Sequence, residues 1–313
     1  MSRATLLTYG PFALVAVIAL VIAALGFVSS PRLGDEAAVV VTPTRDVPPP
    51  LVAASAPASP SSAGASPAAM LDALNELRAA VGAPAVRGDA RVIAAAQRHA
   101  EYLAHSSALG HEETPGVEGF SGATVRDRLA AQGIEAATAS EVVTSFSSAI
   151  EGVRALWVMP YHRLGLMHPH LAVAGWGFAS REGRPVTVGV LLFDFAAAAP
   201  DTVRVPASGQ RVAPSWDGEE SPDALPAGAP RPVGYPVMVV YAKAKTIELR
   251  GARLTDRDGR EVPHHVVAQL YERDYAVIIP VAPLARGSRY HVRFELRVDG
   301  SDVVEEWEFE TEG

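Results

Sequence analysis

The chain has 313 residues and a formal net charge of −8, and its 27 basic residues form no dense stripe, so nucleic acid is excluded as a partner. It contains no cysteine, which removes disulfides, thiolate haem ligation and iron–sulfur chemistry. The length accommodates two folded units, each of which must be held by its own packing.

Residues 11–28 are an uninterrupted apolar run of 18 residues preceded only by Arg3 as a charged side chain. As a helix it would reach about 27 Å at 1.5 Å per residue, the lower end of what crosses a bilayer. Residues 1–29 are therefore expected to be an N-terminal signal anchor or a cleaved signal peptide. Either one exports the rest of the chain. The anchor makes the cell membrane a partner and leaves single-pass topology with extracytoplasmic domains; the signal makes the protein secreted. Residues 30–67 are rich in Pro, Ala and Ser, including Pro48-Pro49-Pro50, and bury too little apolar surface to offset chain entropy. They read as a disordered spacer.

From residue 68 the periodicity becomes helical. Met70, Leu74, Leu77 and Val81 recur at helical spacing up to Gly82. Asp89 is suited to cap a second helix with Val92, Ile93, Ala96, Ala100 and Leu103 on one face. A short third helix is expected over 123–132, ending at Gly133, and a fourth over 148–158 that buries Ile150, Val153 and Trp157. Pro160 should end it, leaving His162 beyond the helix. Two strands, 173–179 and 185–194, flank the turn Arg181-Glu182-Gly183-Arg184. Residues 196–232 carry seven prolines and little periodicity. Beyond Val233 strands are expected over 236–241, 246–249, 275–279, 290–298 and 304–309, with tight turns at Asp258-Gly259 and Asp299-Gly300.

Three residues could carry chemistry: His111, Glu141 and His162. Two imidazoles and a carboxylate are the ligand types a zinc-like ion takes, and equally the types that share protons in acid–base catalysis. Other polar residues have plainer readings. His168-Pro169-His170 reads as a turn, His264-His265 as an exposed strand edge, Glu112-Glu113 as solvated, Glu151 as outward, and His99 and Tyr102 as packing or surface. There is no Gly-x-Ser-x-Gly elbow, Gly-rich phosphate loop or His-Glu-x-x-His helix.

The surroundings of those three residues resemble the CAP superfamily (SCP/TAPS domains) in its bacterial form. Leu74-Asn75-Glu76-Leu77-Arg78 is similar to the family's LNxxR, and the helix from Ala94 to Ala104 to its AAQxHAxxMA. Gly110-His111 resembles its SH motif and Asp127-Arg128-Leu129 with Gly133 its DRLxxAG. Glu141 stands where the family has GEN, Tyr161-His162-Arg163 where it has GHR, and Leu171 to Phe178 along its xxxxIGVGxA strand. The likeness runs over about 68–196 in the family's order. It implies an α+β fold, a CAP-type α-β-α sandwich with an antiparallel sheet; separately, Pro283-Leu284, a short Gly-containing loop and the alternating strand from Tyr290 resemble the late strands of bacterial Ig-like or fibronectin-like modules, so the region that follows reads as an all-β Ig-like sandwich. The domains are then 68–198 and, with a Pro-rich lead-in, 199–313, each with its own core. The CAP likeness implies a site of His111, Glu141 and His162, with His111 and His162 as ligands if a divalent metal is held weakly; no other cofactor is expected. Val142-Val143 follows Glu141 where the family has Asn and an apolar residue. Pro160 occupies the position of a second Glu, so the four-residue His-Glu-Glu-His set is incomplete. Three functions stay open: a cleft that binds an apolar or cell-envelope ligand, a metal- or His/Glu-dependent hydrolase, and a structural envelope protein with a vestigial cleft.

Overall fold

Ser66 opens the first helix, its hydroxyl accepting the Ala69 amide while Pro67 takes the first helical position. Residues 66–106 and 109–313 are described in the computed structural model; the expected N-terminal anchor or signal and nearly all of the linker lie outside them. Helix α1 (Pro67–Ala80) is followed by α2 (Ala90–His105), capped as expected by Asp89. Helix α3 (Val125–Ala130) starts in a capping box between Thr124 and Asp127. Ser148 caps α4 (Ala149–Val158).

Pro160 does not leave the chain extended. It occupies the first position of a further helix, α5 (Pro160–Met167), where its missing N–H costs nothing. His162 consequently lies in the first turn of a helix and not beyond the end of one.

Strands β1 (Ala139–Thr144), β2 (Leu171–Arg181) and β3 (Arg184–Phe193) form an antiparallel sheet in the order β1-β3-β2. Glu182 and Gly183 both have positive φ, 52° and 75°, which closes the β2–β3 hairpin in two residues. Val142, Ala174, Trp176 and Leu191 face α1, α4 and α5, whereas Val143, Val173, Val188 and Val190 face α2 and α3. The sheet is thus covered on both sides, as the α-β-α expectation requires. Helix α2 sits almost on the strand: a Cβ on Gly175 or Gly177 would lie 2.4 or 2.5 Å from the backbone of Val92 or Ala96.

Many of the motif residues act as staples. The Asn75 amide pairs with both the N–H and C=O of Val86, and Gln97 does the same at Phe178. Arg78 is wholly buried and donates to the carbonyls of Pro84, Leu166 and His168; burial lowers its pKa to about 10. Arg163 donates to Trp157, Val158 and Pro236 carbonyls and lies 4.9 Å above the Tyr235 ring.

The remaining chain is strand-rich. Its strands are β4 (Thr202–Val205), β5 (Arg211–Val212), β6 (Ser215–Trp216), β7 (Val233–Gly234), β8 (Val237–Tyr241), β9 (Ile247–Asp256), β10 (His264–Val266), β11 (Tyr275–Pro280), β12 (Arg289–Val298) and β13 (Ser301–Thr311). They make two four-stranded sheets, β10-β11-β8-β4 and β5-β13-β12-β9, and a small β6–β7 pair. Asp299 and Gly300, with φ of 48° and 88°, close the β12–β13 hairpin. The Pro-rich lead-in supplies β4, β5 and β6, strands of two to four residues that are too short to show a period.

Contacts cross the sequence boundary at 198/199. The Tyr161 hydroxyl donates to the Ala268 carbonyl at 3.0 Å, the His168 ring meets Asp274 at 3.2 Å, and the His162 ring meets Glu220 at 2.9 Å. One buried apolar cluster runs from Met70 through Trp157 and Leu166 to Ile278 and Phe309.

Candidate functional site

The segment from Leu109 to Ala123, between α2 and α3, is tied down by side chains beneath it. Glu113 was expected in solvent; it is buried, and it accepts the Ser121 hydroxyl at 3.0 Å and the amides of Ser121 and Gly122. Its neighbour Glu112 is exposed, as expected. The Tyr102 hydroxyl accepts the Thr114 amide at 2.9 Å.

His99 is also buried, not a residue of packing or surface alone. Its Nδ1 faces Glu113 Oε1 at 2.9 Å, and its Nε2 faces the Gly110 carbonyl at 3.1 Å and Glu141 Oε1 at 3.4 Å. A carbonyl and a carboxylate only accept, so both ring nitrogens of His99 face acceptors. Arg128 completes the arrangement: its guanidinium donates to Glu141 Oε2 at 2.7 Å and to the carbonyls of Gly122 and His111. The same guanidinium lies 3.9 Å from Glu113 Oε1, so its charge stands beside both buried carboxylates, which is how such charges avoid an unpaired desolvation cost.

Glu141 reaches this cluster from β1. His111 Nδ1 lies 3.1 Å from Glu141 Oε1, and the His111 side chain is 55% exposed whereas those of His99, Glu113, Arg128 and Glu141 are at most 2% exposed. The outcome is a rigid, buried ionic base that presents one imidazole to solvent. An imidazole whose Nδ1 is held by a carboxylate has a fixed ring orientation and can take or give a proton at Nε2.

His162 does not join it. It sits on α5, over the sheet face that carries Ser140 and Leu191, whereas Glu141 points to the α2–α3 face. Its ring and its backbone N–H both pair with Glu220 Oε1, at 2.9 and 3.0 Å, so a carboxylate from the strand-rich region caps the start of α5. The expected convergence of His111, Glu141 and His162 is therefore corrected: two of the three meet, and the third has a different carboxylate. His111 and His162 do not face one another as a ligand pair. Among the described residues no group of three or more His, Asp or Glu side chains has the arrangement a metal ion needs.

The two other histidine pairs of the sequence lie as follows. His168 and His170 do form a turn but are buried, against Phe193 and Phe195. His264 and His265 are half-buried on the edge strand β10. His99, Glu113 and Arg128 were missed as site residues. A signal for His99 existed: with Val92, Ala96 and Leu103 it lies on the buried face of α2, where a polar ring requires partners.

Residues 71–193 match the model of the CAP family, the Cysteine-rich secretory protein family. A comparison with curated proteins found no match. Among solved structures the chain is similar to an extracellular protein containing an SCP domain from Bacillus anthracis str. Ames, at 17% identity over 40% of this chain and TM-score 0.34. That match spans 39% of the Bacillus protein. It is also similar to CopC from Methylosinus trichosporium OB3b, at 19% identity over 35% of this chain and 88% of that one, TM-score 0.26. An outer surface protein from Borrelia burgdorferi matches at 16% identity over 40% of this chain and 90% of that one, TM-score 0.34.

Proposed function

With residues 71–193 constituting a CAP domain, we propose that this chain is an exported, membrane-tethered bacterial protein that binds an apolar or cell-envelope ligand at the His111 loop. One observation carries this reading. Leu109, Val117 and Phe120 are 51%, 44% and 40% exposed on the single segment that the buried Glu113 and Tyr102 hold in place. Large apolar side chains left in water on a loop whose backbone is pinned are the composition of a contact surface. His111 supplies a polar group beside them. Export rests on the apolar run at 11–28, and the strand-rich 199–313 region serves as an Ig-like module of the envelope-facing part.

The test compares lipids that copurify with the full chain and with its Leu109→Ser/Phe120→Ser variant, by mass spectrometry. A lipid species retained by the parent and depleted in the variant is the expected result. Identical lipid content would remove the reading.

A second reading, acid–base hydrolysis, is favoured by the Glu141-oriented, exposed ring of His111. Turnover of aryl esters that disappears in His111→Ala would establish it; equal rates in both proteins would dismiss it.

A further inference from the structure

The three-stranded sheet β1-β3-β2 treats its two edges differently. On β2, the Arg87 main chain donates to the Ala172 carbonyl and accepts the Ala174 amide, and the Gln97 carboxamide takes both main-chain groups of Phe178. Those bonds also fix the direction of every main-chain group in the sheet. Ala172, Ala174 and Phe178 face away from β3, so Val173, Gly175 and Gly177 bond to it. Of the β3 residues, Thr187, Gly189 and Leu191 are then left to face β1, where they stand opposite Thr144, Val142 and Ser140. The N–H and C=O groups of Ala139, Glu141 and Val143 therefore point off the outer edge of β1, and among the described residues nothing pairs with them.

This edge lacks the devices that blunt an exposed strand. It is regular over its six residues, without proline, lysine or bulge. Its main chain is also reachable. The Glu141 side chain is 2% exposed, yet the residue as a whole is not buried, so what it shows to solvent is its main chain. Ala139 and Val143 are half-buried and pack against the apolar cluster on the α2–α3 side, so that cluster reaches the surface here. His111 stands at the same place, its Nδ1 3.1 Å from Glu141 Oε1 and its side chain 55% exposed.

We propose that the open edge of β1 is a polypeptide-binding site, which takes an extended segment of another protein as a fourth strand of this sheet. A row of main-chain donors and acceptors at strand spacing is matched by another extended main chain. The residue set opposite Glu141 puts its side chain about 5 Å from that of Glu141, next to His111. Apolar residues two places to either side of it extend the cluster at Ala139 and Val143. A second copy of this chain fits worse. The antiparallel self-pairing that uses all three outward residues sets Ala139 against Val143 and Glu141 against its own copy, carboxylate to carboxylate. The site adjoins the His111 loop but needs neither a lipid bound there nor a proton transfer, so it can fail while those readings stand.

The experiment titrates the full chain with a fluorescein-labelled peptide of alternating Val and Thr, about eight residues long so as to overlap the whole edge, and with the same peptide N-methylated at every internal amide. The first is expected to bind and the second not. Val143→Pro removes an N–H that serves no bond within the fold. It should leave the melting temperature close to the parent's while weakening the peptide at least about tenfold. Residue-resolved hydrogen exchange supplies a readout that needs no variant. The Glu141 and Val143 amides should exchange readily in the free chain and slow on binding, whereas those of Val142 and Thr144, bonded to β3, stay protected throughout. The proposal is overturned if the unmethylated peptide does not bind, if the methylated one binds as well, if Val143→Pro binds it unweakened, or if exchange at Glu141 and Val143 does not change. Protection of those two amides in a chain that sediments as a dimer would also overturn it, by making a second copy the occupant.

Discussion

Arg128 and His111 touch the same carboxylate and should behave oppositely when removed. Arg128 is buried, and its loss takes the guanidinium away from buried Glu141 and from beside Glu113, so Arg128→Met is expected to cost about 3–5 kcal/mol in denaturant unfolding. His111 is more than half exposed, and His111→Ala should stay within about 1 kcal/mol. Equal losses would mean that His111 is part of the scaffold. His170 makes a pH prediction. Burial first, then the neighbouring His168, lowers its imidazole below the ordinary value of 6.5. The unfolded chain therefore binds a proton that the folded chain resists, so this contribution to stability is full above about pH 6.5 and lost as pH falls. Melting temperature should fall from pH 7 to 5, less steeply in His170→Phe; identical slopes would assign the sensitivity elsewhere. At this scale the sequence made His111 and Glu141 legible because both stand in recognisable motifs. Glu113 and His99 were not, since their burial comes from a loop folding back over α2, and local periodicity carries no information about that. His162 misled because its partner, Glu220, is 58 residues away.

Helices and long strands were readable from caps and periods: Asp89 caps α2 as expected, α4 begins beside Ser148 where a helix over 148–158 was expected, and the β2–β3 and β12–β13 hairpins turn at the expected residues. The failures have physical causes. Pro160 is compatible with a helix end and equally with a helix start, and the choice was made by the α5 side chains Leu164, Leu166 and Met167 entering the core. β1 escaped notice because Ser140, Glu141 and Thr144 interrupt its apolar pattern. The close contact between α2 and β2 gives a sharp test of packing. Gly175→Ala places a methyl against the backbone of Val92, which cannot yield as a side chain would. The expected loss is about 1–3 kcal/mol or more, measured by thermal melting. An unchanged melt would show that α2 can move away from the sheet at little cost.

One large buried cluster runs across the boundary at 198, although each side was expected to have its own core; a second cluster, between the sheet and α2–α3, lies on the N-terminal side alone. A fragment ending at 198 loses the Glu220 cap on α5, the Tyr235 ring under Arg163 and the Ala268 acceptor of Tyr161. It should melt well below the full chain, and residues 66–313 should unfold in one cooperative transition. Two resolved transitions, with the fragment as stable as the full chain, would show that the two regions only touch. The claim on which the functional account rests is narrower: that the apolar loop over the buried Glu113–Arg128–Glu141 base is a ligand surface. Titration of the full chain with a fluorescent long-chain fatty acid, beside Leu109→Ser/Phe120→Ser, tests it most directly. The account predicts saturable binding that weakens at least about tenfold in the variant, with melting temperature unchanged; equal binding by the two proteins, or none by either, would contradict it.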